Sequence, residues 1–190
     1  MLLQIGRNKG ADARPPDALD ELAACHARIR SFTQLAARLA DGSDASPQAL
    51  AEAAASVARY YAVALPKHAE DEDRSLAPAL RSATLPDDVL AAIDVMRVEH
   101  DELDAIVAAA MPAWNALASD PSSWPDHAGL LRECARTLGL FWDRHLGLEE
   151  RVIFPAARKL LDTTALEKLG REMRARRQPT VGIAQTTRGG

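Results

Sequence analysis

The chain has 190 residues, of which 47% are apolar and only 4% aromatic, and its net charge is −4. That length supports one domain with a sizeable core, and the acid excess speaks against nucleic acid as a partner, which would call for clustered surplus Lys and Arg. The two cysteines, Cys25 and Cys134, form neither a C-x2-C pair nor a disulfide framework, and no apolar run is long enough to cross a bilayer, so a cytoplasmic chain without a membrane partner is expected.

Residues 1–14 show no periodicity and read as an N-terminal extension. Pro15-Pro16 opens the first helical pattern, in which Leu22, His26, Ile29, Ala36 and Leu39 recur at helical spacing. Asp41-Gly42-Ser43 ends it. Ser46-Pro47 has the form of an N-cap followed by proline at the first helical position, so a second helix is expected from there to about Ser75, broken or kinked at Pro66. Residues 77–86 read as a loop. The third helix starts near Asp87 with the stripe Leu90, Ile93, Met96, His100, Leu103, Val107, Met111 and Trp114, and Pro112 is expected to kink its last turns. After ASDPSSWPD the fourth helix carries Leu131, Cys134, Leu138, Phe141, His145, Glu149 and Val152, and bends at Pro155. Thr164-x-x-Glu167 has the form of a capping box for a short fifth helix to Arg177, whose basic run REMRARR reads as a solvated helix end. Residues 178–190 read as a flexible tail. The expected fold is all-α: an up-down-up-down four-helix bundle over 15–177, with a short additional C-terminal helix.

Two segments of the chain repeat a pattern. HAEDEDRSLAP (68–78) and HLGLEERVIFP (145–155) share H-x3-E-x-R-x3-P. Of the five histidines, His26, His68, His100 and His145 fall one per long helix, each on the apolar stripe. Counting residues to the helix ends at about 1.5 Å each brings all four to one depth within a turn or two. His127 lies 18 residues before His145, roughly 27 Å along the axis, and reads as a helix-start or packing residue. Glu72 and Glu149 stand four residues after His68 and His145, on the same inward face. Two such carboxylates in an apolar core are costly as bare anions, and Arg74 and Arg151 point elsewhere. Metal ions compensate them: four imidazoles and two carboxylates form a mixed N/O donor set for two ions, iron foremost, with manganese and zinc also compatible. The doubling follows from a doubled site. His26 pairs with H68-x3-E72 and His100 with H145-x3-E149.

The pattern H…H-x3-E…H…H-x3-E resembles the hemerythrin-like, or HHE cation-binding, domains over about residues 17–160. The resemblance implies a four-helix bundle around a non-haem di-iron centre with an oxo or hydroxo bridge, His26, His68, His100 and His145 as terminal ligands, and Glu72 and Glu149 as bridging carboxylates. The ligand pattern is most similar to the four-histidine, two-glutamate di-iron members. It departs from the oxygen carriers, which have a fifth histidine. Met96 and Asp104 stand four residues either side of His100, and Asp104 is a candidate further ligand or acceptor for an imidazole N–H. Candidates for the pocket wall are Tyr61, Leu65, Met96, Leu103 and Phe141, with Leu22, Ile29 and Leu148. Cys25 is expected to face away from the site. The implied function is binding of, or reaction with, a small diatomic ligand or peroxide (O2, NO or peroxide), in oxidative or nitrosative stress or in iron handling. The alternative is a metal-stabilised sensor or interaction domain without redox turnover. The sequence leaves room for a homodimer and does not decide whether the chain is an enzyme.

Overall fold

The computed structural model describes residues 16–178. The expected N-terminal extension and nearly all of the expected tail lie outside them. Helix α1, Ala18–Ala40, opens on Asp17, whose carboxylate accepts from the Leu19 and Asp20 backbone amides while Asp20 answers the Asp17 amide, a complete capping box. Helix α2 covers 47–81. It begins as Ser46 and Pro47 foretell, with the Ser46 hydroxyl accepting from Ala49 N–H. Helix α3, Asp87–Ser119, runs through Pro112 without interruption. Helix α4 covers 124–160, and α5, Thr163–Arg177, closes the described chain. The cap of α5 is Asp162, which accepts from Ala165 N–H, and not Thr164. Among the described residues there are helices and turns only.

The three interior prolines of α2 and α4 do not break their helices. Each follows a π-helical turn: Tyr60–Ala64 before Pro66, Glu72–Leu76 before Pro78, and Glu149–Ile153 before Pro155. A proline has no N–H for the carbonyl four residues back, and its ring clashes with that carbonyl. The wide turn relieves this, with Leu65, Ala77 and Phe154 N–H reaching five residues back to the carbonyls of Tyr60, Glu72 and Glu149. So the expected break at Pro66 is a π-turn, and the expected loop over 77–86 is helical as far as Arg81.

The order of core residues along each rod shows the bundle's connectivity. One apolar cluster takes Ile29 to Ala40 of α1, Leu50 to Leu65 of α2, Leu103 to Leu117 of α3 and Leu131 to Leu146 of α4. The other takes Ala18 to Leu22, Leu76 to Leu80, Val89 to Met96 and Ile153 to Ala157 of the same rods, plus Leu169 and Met173 of α5. Each of the four long helices therefore crosses from one cluster to the other, in alternating sense, as an up-down-up-down bundle must. Between the two clusters, at one depth, lies a layer of buried polar side chains.

The fifth helix covers the second cluster and is tied down by charge. Asp71 is fully buried and receives Arg176 at 2.7 Å and Arg177 at 2.5 Å. Arg176 also donates to Ser75 Oγ, which donates to Glu172. Arg174 pairs with Glu21 of α1. The basic run is thus largely a docking device rather than a solvated helix end. No described helix is long and apolar enough to cross a membrane.

Candidate metal centre

The buried layer contains His26, His68, Glu72, His100, His145 and Glu149, none more than 7% exposed. Their donor atoms fall into two overlapping groups. His26, His68, Glu72 and Glu149 form one, and His100, His145, Glu72 and Glu149 the other, with the donor atoms of each group within 4.8 Å of one another. Each glutamate divides its oxygens between the groups. Glu72 turns Oε1 to His68 Nε2 at 3.5 Å and to His26 Nε2 at 3.9 Å, and Oε2 to His100 Nε2 at 3.4 Å. Glu149 turns Oε2 to His26 Nε2 at 3.0 Å and Oε1 to His145 Nε2 at 2.9 Å.

These donors are unsatisfied by the protein. All four Nε2 atoms and all four carboxylate oxygens are buried without an aligned hydrogen bond. An ionised carboxylate taken out of water costs several kcal/mol, and buried polar atoms without partners are rare. Eight inward orphan atoms, in two groups that could each hold a metal ion, fit metal binding by mixed imidazole and carboxylate donors. In the metal-free chain protons take up part of that role. Burial works against a charged His26, but Glu149 and Glu72 outweigh it and raise its pKa to about 10. Burial likewise opposes a charged His100, yet Asp73 and Glu72 raise it to about 10. Burial would push Glu72 up, and His68, His100 and His26 together hold it below the usual carboxylate range instead.

The outward ring nitrogens are held by residues that the sequence reading did not single out. His26 Nδ1 donates to Glu150 at 2.9 Å, His100 Nδ1 to Asp73 at 3.0 Å, and His145 Nδ1 to Glu99 at 2.8 Å. Such contacts fix the tautomer that presents Nε2 inward and strengthen the imidazole as a donor. Arginines stand behind them: Arg30 grips Glu150 through two N–H donors at 2.9 Å, Arg144 reaches Glu99 at 2.6 Å, and Arg97 lies 3.7 Å from Asp73. The clue was present in the doubled segment, whose sixth place is acidic in both copies. In each copy the acid after the inward glutamate braces a histidine of the other helix pair. His68 has no carboxylate there. The Cys25 thiol lies against it, without an aligned hydrogen bond to either ring nitrogen. Cys25, expected to face away, therefore borders the site. Burial pushes its thiol up, and His68 and Arg28 outweigh burial to bring it down to about 7.

Aromatic rings wall the layer. Phe141 stacks on His145 with centroids 5.2 Å apart, and Trp142 meets the same ring edge-on at 5.5 Å. Phe154 stacks on His26 at 5.0 Å. Tyr61, Leu65, Met96 and Leu103 are buried as expected, and the Tyr61 hydroxyl pairs with that of Thr33 at 3.2 Å. Phe154 escaped the sequence reading because its contact with His26 depends on helix rotation just past the π-turn, whereas Trp142 stands three residues before His145 on the same regular helix, a spacing the sequence does show. Asp104 lies exposed on α3, outside both donor groups, so the acceptor role considered for it falls to Asp73, Glu99 and Glu150. His127 is likewise outside both groups.

A search of curated proteins finds no match to this chain. The family profile of the hemerythrin HHE cation-binding domain matches residues 17–174, which include all six inward residues and all five helices except the last turn. The chain belongs to the hemerythrin HHE cation-binding family.

Proposed function

We propose that the chain holds two iron ions, one between His26 and His68 and one between His100 and His145, with Glu72 and Glu149 bridging them, and that it binds or reacts with O2, NO or peroxide. The observation that carries this reading is the division of each glutamate's oxygens between two sets of orphan donors. Each ion would receive two imidazoles and two carboxylate oxygens, short of an octahedral shell, which leaves room for a small ligand. Iron so held supplies Lewis acidity and one-electron redox chemistry. The chain's own part is placement and exclusion. Glu150, Asp73 and Glu99 fix three imidazoles. Phe141, Trp142 and Phe154 pack against the imidazoles and keep bulk water from them.

Elemental analysis and an optical spectrum of protein produced in iron-rich medium test the reading. Two ions per chain, chiefly iron, with bands of a bridged diferric pair are expected. One ion or none overturns the dinuclear assignment, and two ions that prove inert to O2, NO and peroxide return the chain to a metal-stabilised interaction domain.

A further inference from the structure

The bundle carries an internal twofold relation in which α1 and α2 correspond to α3 and α4. His26 corresponds to His100, His68 to His145, Glu72 to Glu149 and Asp73 to Glu150. The residues just before the first histidine of each pair also correspond: Cys25 and Glu99 are 74 positions apart, as are His26 and His100. Glu99 holds His145 Nδ1 at 2.8 Å, and the Cys25 thiol lies against the corresponding His68. An arginine stands behind each, Arg144 on Glu99 at 2.6 Å and Arg28 on the Cys25 sulfur at 3.2 Å. All four ligand histidines thus have an outer residue backed by a guanidinium. Three of those residues are carboxylates and one is a sulfur. His68 Nδ1, in a residue 3% exposed, is the one of the four Nδ1 atoms that lacks an aligned acceptor.

Sulfur is a weak acceptor beside a carboxylate oxygen, and an imidazole without a firm outer acceptor is both less well oriented and a poorer donor. We infer that Cys25 is the positioning residue of His68, and that its place in the twofold, where the other half has Glu99, makes the two metal positions unequal. The His100–His145 position fills first and holds its ion more tightly. The His26–His68 position fills second and gives up its ion first. This rests on the dinuclear reading above. It gives that reading a direction, with one resident ion and one exchangeable ion.

The test is a zinc titration of the metal-free full chain, followed by NMR of the nitrogen-15-labelled imidazoles. The His100 and His145 resonances should shift with the first equivalent and those of His26 and His68 with the second. The two dissociation constants should differ by about 10-fold or more, the usual effect of an outer partner. Mutual repulsion of two cations would also separate the constants, so the order of filling and the variants decide. Cys25→Glu, which gives His68 the acceptor His145 has, should abolish the order. Glu99→Gln, which weakens the favoured half without changing its size, should abolish it too and serves if Cys25→Glu does not fold. Shifts of all four rings together in the wild type, or filling of the His26–His68 position first, overturn the inference. Unchanged order in the folded variants does the same. Binding of fewer than two zinc ions would instead sink the dinuclear reading itself.

Discussion

Asp71 and Glu72 are neighbours in sequence, both wholly buried, and they are treated in opposite ways. Asp71 faces α5 and is matched on both oxygens by Arg176 and Arg177. Glu72 faces the bundle axis, and neither oxygen has an aligned partner. The chain is therefore able to neutralise a buried carboxylate with its own cations where stability alone is at stake. One residue on it supplies no guanidinium, only imidazoles whose protons a metal can replace, and it does so again at Glu149. The difference separates a finished polar cluster, which docks a helix, from an open one that is completed from outside.

Substitutions at the two clusters should part accordingly. The largest effect is expected from Glu72→Ala and Glu149→Ala. Either should drop metal content below one ion per chain by elemental analysis, and retained stoichiometry would break the comparison. The double change Arg176→Ala with Arg177→Ala should leave the metal count at two and cost about 3 kcal/mol in denaturant unfolding. That is the low end for stranding a buried charge, because both arginines are partly open to water. A fall in metal content on that variant would show the two clusters to be one.

A third expectation concerns pH and applies to the open cluster only. His26 and His100 are raised from 6.5 to about 10 in the metal-free chain. A raised basic group contributes stability that is fully present below its unfolded pKa and is lost as pH rises through the folded value. Thermal unfolding of metal-free protein should therefore move to lower temperature between about pH 6.5 and 10. Metal competes with those same protons, so its affinity should climb over that range while protons are released on binding. An unfolding temperature flat across the window would contradict the assignment. In air, the iron(II)-loaded protein should oxidise promptly rather than carry O2 reversibly, since both positions have the same number of protein donors. Uptake reversed under argon would overturn that. The smallest effect is expected at His127→Ala, outside both clusters, with unchanged metal and a stability change within about 0.5 kcal/mol.

The bundle was legible because its signals are periodic and local. The stripes through His26, His100 and His145, the Ser46-Pro47 start and the H-x3-E repeat all depend on spacing along one helix. What escaped depends on contacts between helices. That Asp73 crosses to His100, or that Arg176 and Arg177 reach back to Asp71, requires the mutual rotation of rods far apart in sequence. Rotation about a helix axis is also what a π-turn alters, and for that reason Phe154, just past the turn at 149–153, was missed near the site. Cys25 was misplaced because it meets His68 across two helices, and Trp142 was missed although it stands one turn before His145 on the same helix. The loop assigned to 77–86 failed for a related reason: Pro78 reads as a helix stop, but a wide turn ahead of it lets the helix continue.

The π-turns at 72–76 and 149–153 make the chain sensitive to insertions and deletions in a way that substitutions do not reveal. Each wide turn takes up about one residue more than an α-turn would, so the helix beyond it is out of phase with the helix before. Removing a single residue from either turn would restore a regular hydrogen-bond ladder and rotate everything downstream by about 100°. The rotation would carry Leu76 and Leu80, or Ile153 and Ala157, off the core face. The segment would become a better helix locally while losing its place in the bundle. The shared proline at the end of each repeat opposes that slip, because a regular turn ahead of it has no N–H to complete it.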